Sequence, residues 1–147
     1  MSSDPRERMS PGLRVTTYTV CGILWLSGCA WLVLHLFFPQ QAQFGASPNP
    51  WEPQVMRVHG WLAAGGVFLL GWVSARHITE RWPLYRSRPS GLFLTTLAAF
   101  LVLTGYALYY TTERLHDVAA TTHEILGGAG IFLAVIHWRR NGFRRRK

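Results

Sequence analysis

The sequence predicts an all-α fold: a four-transmembrane-helix bundle with its N- and C-termini cytoplasmic. Three observations lead there. Four runs of about 20 or more mostly apolar residues, near 15–38, 55–78, 90–111 and 117–138, are each long enough to cross a hydrocarbon core of about 30 Å. Soluble helices rarely stay apolar all round for that length. The third observation is where the charge lies. The net charge is +8, yet only Arg57 and Arg114 fall in segments that four crossings put outside, leaving thirteen of the fifteen basic residues inside. Such a split is the positive-inside rule. It assigns the charge to topology and to anionic lipid head groups, and argues against nucleic acid as a partner.

Residues 1–14 are polar, carry Pro5 and Pro11, and read as a disordered cytoplasmic tail. The four-helix domain is then 15–140, and 141–147 is a basic cytoplasmic tail. The first apolar run is too long for a signal-peptide core and is followed by further spans, so it reads as a retained helix. Cys21, Gly28 and His35 recur in it at heptad spacing and share a face. Cys21 and Cys29 are about 12 Å apart along a helix axis, too far for a disulfide. His35, near the outer end, is either wetted by head groups or a ligand or hydrogen-bond donor to a cofactor there.

Residues 39–54 hold Pro39, Pro48, Pro50 and Pro53 and form the longest loop, facing outward. The second helix carries His59 and His77, eighteen residues and therefore about 27 Å apart on one face, with Ala63, Gly66, Leu70 and Val73 between them. The third helix lacks histidine and reads as packing, with its threonines available for bonds between helices. A short outer turn holds His116, expected in solvent. The fourth helix carries His123 and His137, fourteen residues and about 21 Å apart, with Gly127, Gly130 and Ala134 on the stripe between them. Glu124 is an acidic residue inside a span, either a proton carrier or a solvated carboxylate near the surface.

Helices two and four run in the same direction, so their histidines pair by depth: His59 with His123 outside, His77 with His137 inside. Zinc needs three or four converging ligands, which this pattern does not offer. Two axial imidazoles suit a planar macrocycle that brings its own four equatorial nitrogens, and bundle cores hold such cofactors. The expectation is haem b: two groups, one per leaflet, with a single haem as the alternative. Gly66, Gly127 and Gly130 would let the ring edge approach the backbone. Arg57, Arg76, Arg114 and Arg139 lie near the surfaces, where propionates would be neutralised. The unequal spacings leave an axial mismatch of about 6 Å, which helix tilt would have to absorb.

The stretches W-L-S-G-C-A-W-L-V-L-H (25–35), Q-F-G (43–45), V-H-G-W-L (58–62), S-G-L (90–92), T-G-Y-A-L-Y-Y (104–110) and H-E-I-L-G (123–127) resemble a small bacterial family of four-helix membrane proteins of unknown function. That family is similar in turn to the cytochrome b membrane subunits of formate dehydrogenase and nickel–iron hydrogenase. The resemblance covers about 15–140. It implies haem b on His59, His77, His123 and His137 and electron exchange with quinone, and it matches His35 to a histidine ending the first helix.

The function expected from the sequence is electron transfer across the bacterial inner membrane, between quinone and a periplasmic or membrane redox protein. At most the chain would be the electron-transfer component of an oxidoreductase system. The sequence offers no nucleophile–base arrangement, phosphate-binding glycine loop or thiolate cluster, which argues against a hydrolase or transferase. Two other readings stay open: a haem-free structural or assembly protein with interhelical histidines, and a single-haem protein with a quinone site.

Overall fold

The computed structural model describes residues 10–42, 45–75 and 88–143. Four helices and a small hairpin lie among them: α1 (Pro11–Phe37), β1 (Gln40–Ala42), β2 (Gly45–Ser47), α2 (Glu52–Val73), α3 (Arg88–Tyr110) and α4 (Glu113–Phe143). The all-helical architecture is therefore the one the apolar runs predict. Among the described residues three helical stretches are long and apolar enough to cross a membrane: Pro11–Phe37, Gly91–Tyr110 and Glu113–His137. The chain is in this respect compatible with a membrane protein. α2 is not among the three. It opens with Glu52, Arg57 and His59 and is rich in glycine, which dilutes its apolar character.

The helices start earlier than the apolar runs suggest, because turn chemistry sets the boundaries. α1 begins at Pro11, behind Ser10, a favoured order of N-cap residue and first-turn proline. α2 begins at Glu52 on a capping box. The Trp51 N–H donates to Asn49 Oδ1 at 3.0 Å, and the Asn49 N–H donates to Glu52 Oε1 at 2.8 Å. α4 begins at Glu113, so His116 sits in its first turn, 3.7 Å from Asp117, and not in a loop. The α3–α4 connection is only Thr111 and Thr112, and Glu113 takes a left-handed φ of 51° to make it.

The connection between α1 and α2 contains an antiparallel ladder, Gln40 opposite Ser47, Gln41 opposite Ala46 and Ala42 opposite Gly45. Gly45 has φ 118°, a conformation side chains oppose.

Two compact units are present, one Pro11–Leu69 and the other built on Leu70–Lys147. In the first, the less exposed positions of α1 include Leu13, Thr17, Val20, Leu24, Ser27, Trp31 and Leu34, alternating steps of four and three along one face. In the second, α3 and α4 pack along each other. The less exposed face of α4 carries Ala119, His123, Gly127, Gly130, Ala134 and His137. Large apolar side chains point outward in both units, including Trp61 at 82% exposure and Phe132 at 70%. Such surfaces are rare on soluble monomers and ordinary against lipid.

Candidate functional site

Each unit holds one histidine where two antiparallel helices meet. In the first unit, His59 of α2 lies against α1, its Nδ1 2.9 Å from Ser27 Oγ. Ser27 in turn donates its hydroxyl proton to the Leu24 carbonyl at 2.8 Å. The ring sits on Gly28: a Cβ there would lie 3.3 Å from His59 Cε1, tighter than ordinary contact. In the second unit, His123 of α4 lies against α3, its Nδ1 2.9 Å from Thr104 Oγ1. Thr104 donates to the Phe100 carbonyl at 2.8 Å. A Cβ on Gly105 would lie 3.5 Å from His123 Cε1.

The glycines expected to line a cofactor groove are in use within their own units. A Cβ on Gly66 would meet Leu24 at 3.5 Å. One on Gly130 would meet Leu97 at 3.5 Å, and one on Gly127 would meet Leu101 at 3.9 Å. These small residues let neighbouring helices approach, as small residues do at membrane helix contacts. His137 is partly exposed on the same face of α4 as His123. His77 and Arg76 lie outside the described residues, so the inner pair of the sequence reading has one described member.

His35 lies in the last turn of α1. Its ring stacks on Trp31 with centroids 4.8 Å apart, and its Nδ1 is 3.2 Å from Glu52 Oε2. Glu52 is 6% exposed, and its other oxygen receives the Asn49 N–H. Asn49 also donates through Nδ2 to the Phe38 carbonyl at 2.8 Å. One carboxylate thus caps α2 and ties it to the end of α1. Glu124, by contrast, is exposed, as are Arg57, Arg114 and Arg139.

No family model, curated protein or solved structure matches the chain.

A metal-bound imidazole characteristically has its second nitrogen hydrogen-bonded, which fixes ring orientation and tautomer. His59 and His123 both have that second bond. Among the described residues no three His, Cys, Asp or Glu side chains come together around one point. Two-imidazole ligation of a macrocycle needs no such cluster. His59 and His123 thus have the second hydrogen bond that a haem-ligating imidazole would call for.

The features that sequence reasoning missed are Ser27, Glu52 and the identity of Thr104's partner, while the bond from a threonine of α3 to a neighbouring helix was expected. Ser27–Gly28 and Thr104–Gly105 both follow a leucine, Leu26 and Leu103, and that repeated L-[S/T]-G was the available signal. For Glu52 it was N-P-W-E, a capping box with proline at the first position.

Proposed function

We propose that the chain is a b-type haem protein of the bacterial inner membrane that carries electrons between quinone and a redox partner. The observation that supports it best is the matched setting of His59 and His123, each held through Nδ1 by a hydroxyl and seated on a glycine. In this reading His59, His123, His77 and His137 are the ligands, as in the cytochrome b membrane subunits the sequence resembles. When bound, haem would supply one-electron exchange at its iron; the protein holds it and tunes its potential. Ser27 and Thr104 orient imidazoles, and the apolar helix faces exclude water.

The reading includes a fourth crossing by α2 and cytoplasmic termini. Contacts within the first unit support that crossing. His35 meets Glu52, Ser27 meets His59, and Leu24 meets Gly66, so α2 descends antiparallel to α1 and is level with its middle by Gly66. If α1 spans, α2 follows it.

The test is colour and stoichiometry. Membranes with the protein overexpressed are expected to give a reduced-minus-oxidised b-type spectrum, and the purified chain two haems. His77→Ala and His137→Ala are each expected to remove one haem and spare the other. Colourless protein from haem-replete cells would overturn the proposal.

A second reading is favoured by the same contacts. Serine and threonine bonding to histidine also joins membrane helices without any cofactor, at about 0.6 kcal/mol on average per bond. A haem-free structural protein would show these bonds and no spectrum.

A further inference from the structure

The two units share one local arrangement. In each, a leucine–hydroxyl–glycine triplet on the first helix faces a histidine on the second: Leu26–Ser27–Gly28 with His59, and Leu103–Thr104–Gly105 with His123. Seven residues after each histidine comes a glycine, Gly66 or Gly130, and each is met by a leucine of the facing helix, Leu24 or Leu97. The first connection is longer than the second, and the extra residues fall where β1 and β2 lie. The leucines differ in register, Leu24 standing three residues before Ser27 and Leu97 seven before Thr104, so the match is that of the triplet and its histidine.

Both hydroxyls are already committed as donors. A serine or threonine hydroxyl has a single proton. Ser27 gives its proton to the Leu24 carbonyl at 2.8 Å, and Thr104 gives its own to the Phe100 carbonyl at 2.8 Å. Each oxygen can then only accept from the ring nitrogen 2.9 Å away. With the hydroxyl protons on those carbonyls, Nδ1 carries the imidazole proton and the lone pair falls on Nε2.

We propose that Ser27 and Thr104 are paired positioning residues that lock His59 and His123 as Nδ1–H tautomers and so present Nε2 as the ligand atom for haem. The inference rests on the haem reading for its purpose but not for its geometry. An acceptor on Nδ1–H raises the donor strength of Nε2, which favours the oxidised metal. The hydroxyls would therefore hold the haem in place and lower its potential. Gly28 and Gly105 are part of the device, since the ring reaches the hydroxyl by lying over them.

The test uses the full chain in detergent with two readouts. The first is nitrogen NMR of histidine-labelled protein made in haem-deficient cells, where two-bond proton–nitrogen correlations distinguish the tautomers. His59 and His123 are expected as Nδ1–H. Ser27→Ala is expected to release His59 to a tautomer mixture and leave His123 alone, with Thr104→Val doing the reverse. The second readout is haem. Each variant is expected to weaken retention at one site by about 10- to 100-fold and to move that site's midpoint potential upward. Ser27→Thr and Thr104→Ser, which keep the hydroxyl, are expected to restore both.

Wild-type His59 or His123 in the Nε2–H form would overturn the inference, and this measurement needs no variant to fold. A haem-loaded protein whose potentials and retention ignore both hydroxyl deletions would overturn it too, while leaving the haem reading intact. Colourless protein with both rings in the Nδ1–H form would do the opposite, sinking the haem reading and upholding the tautomer lock.

Discussion

A methyl group separates the two histidine sites. At Gly28 an added Cβ comes within 3.3 Å of the imidazole carbon, and at Gly105 the same atom comes no closer than 3.5 Å. The first must push the ring or the helix; the second is ordinary contact. Gly28→Ala is therefore expected to destabilise the protein by about 1–3 kcal/mol, as overpacking does, and to disturb the His59 resonances. Gly105→Ala is expected to remain within about 1 kcal/mol of wild type, helped by alanine's better helix propensity. Thermal unfolding in detergent checks the order. Equal losses at the two glycines would show that the ring does not rest on Gly28. The histidines themselves were legible in the sequence, because a polar ring in an apolar run stands out and demands a partner. Their partners were not. A hydroxyl in a membrane helix can bond to its own backbone, as Thr17 and Thr95 do here. Ser27 and Thr104 make that bond as well, and composition does not tell which hydroxyls also face a neighbour.

At the scale of elements, helix type was legible and helix starts were not. Apolar length predicts that a helix exists; polar caps decide where it begins, and they lie outside the apolar run. Glu52 shows why the outer end was misjudged. Counted from the first valine, α2 seems to begin after this residue, and the carboxylate falls into a proline-rich loop. In the fold it closes the Asn49 cap and accepts from His35. The two roles separate by substitution. Asn49→Ala removes the cap and is expected to lower stability by about 1 kcal/mol. Glu52→Gln keeps an acceptor for the Asn49 N–H but removes the charge facing His35. It should therefore lose less than Glu52→Ala, which leaves Asn49 and His35 both without that carboxylate. If Gln and Ala prove equally damaging in thermal denaturation, the charge rather than the cap carries the contact. At the α3–α4 turn, Glu113 holds a left-handed φ of 51° in a connection only two residues long. Glu113→Gly is expected to be neutral or stabilising by about 0.5–1 kcal/mol. Glu113→Val, branched at Cβ, is expected to be destabilising by about 1–2 kcal/mol. The β1–β2 ladder was illegible for a different reason. Strands of three residues such as Gln40–Ala42 are too short to display alternation, and the prolines around them speak only of a loop.

For the whole molecule the open quantity is the parity of crossings, and α2 decides it. Three spans put the ends of the chain on opposite sides of the membrane; four put them on the same side. Apolarity alone favours three, because Glu52, Arg57, His59 and the glycines weaken α2 as a span. Packing favours four. α1 runs from Pro11 to Phe37, and Leu24, at its midpoint, is the residue that meets Gly66. From Gly66, α2 continues to Val73, about 10 Å further along the same line. A helix that has followed its neighbour to the bilayer centre has no way to turn back there without exposing unpaired backbone to hydrocarbon. The charges agree: under four crossings Arg139 and Arg144–Lys147 share a side with Arg6, Arg8 and Arg14. Reporter fusions read the parity directly. A fluorescent protein that folds only in the cytoplasm, fused before Met1 or after Lys147, is expected to be bright in both positions. A phosphatase active only outside, inserted between Thr111 and Thr112, is expected to be active. A dark C-terminal fusion beside a bright N-terminal one would mean that α2 does not cross. The expectation from the sequence that His59 pairs with His123 would then fall.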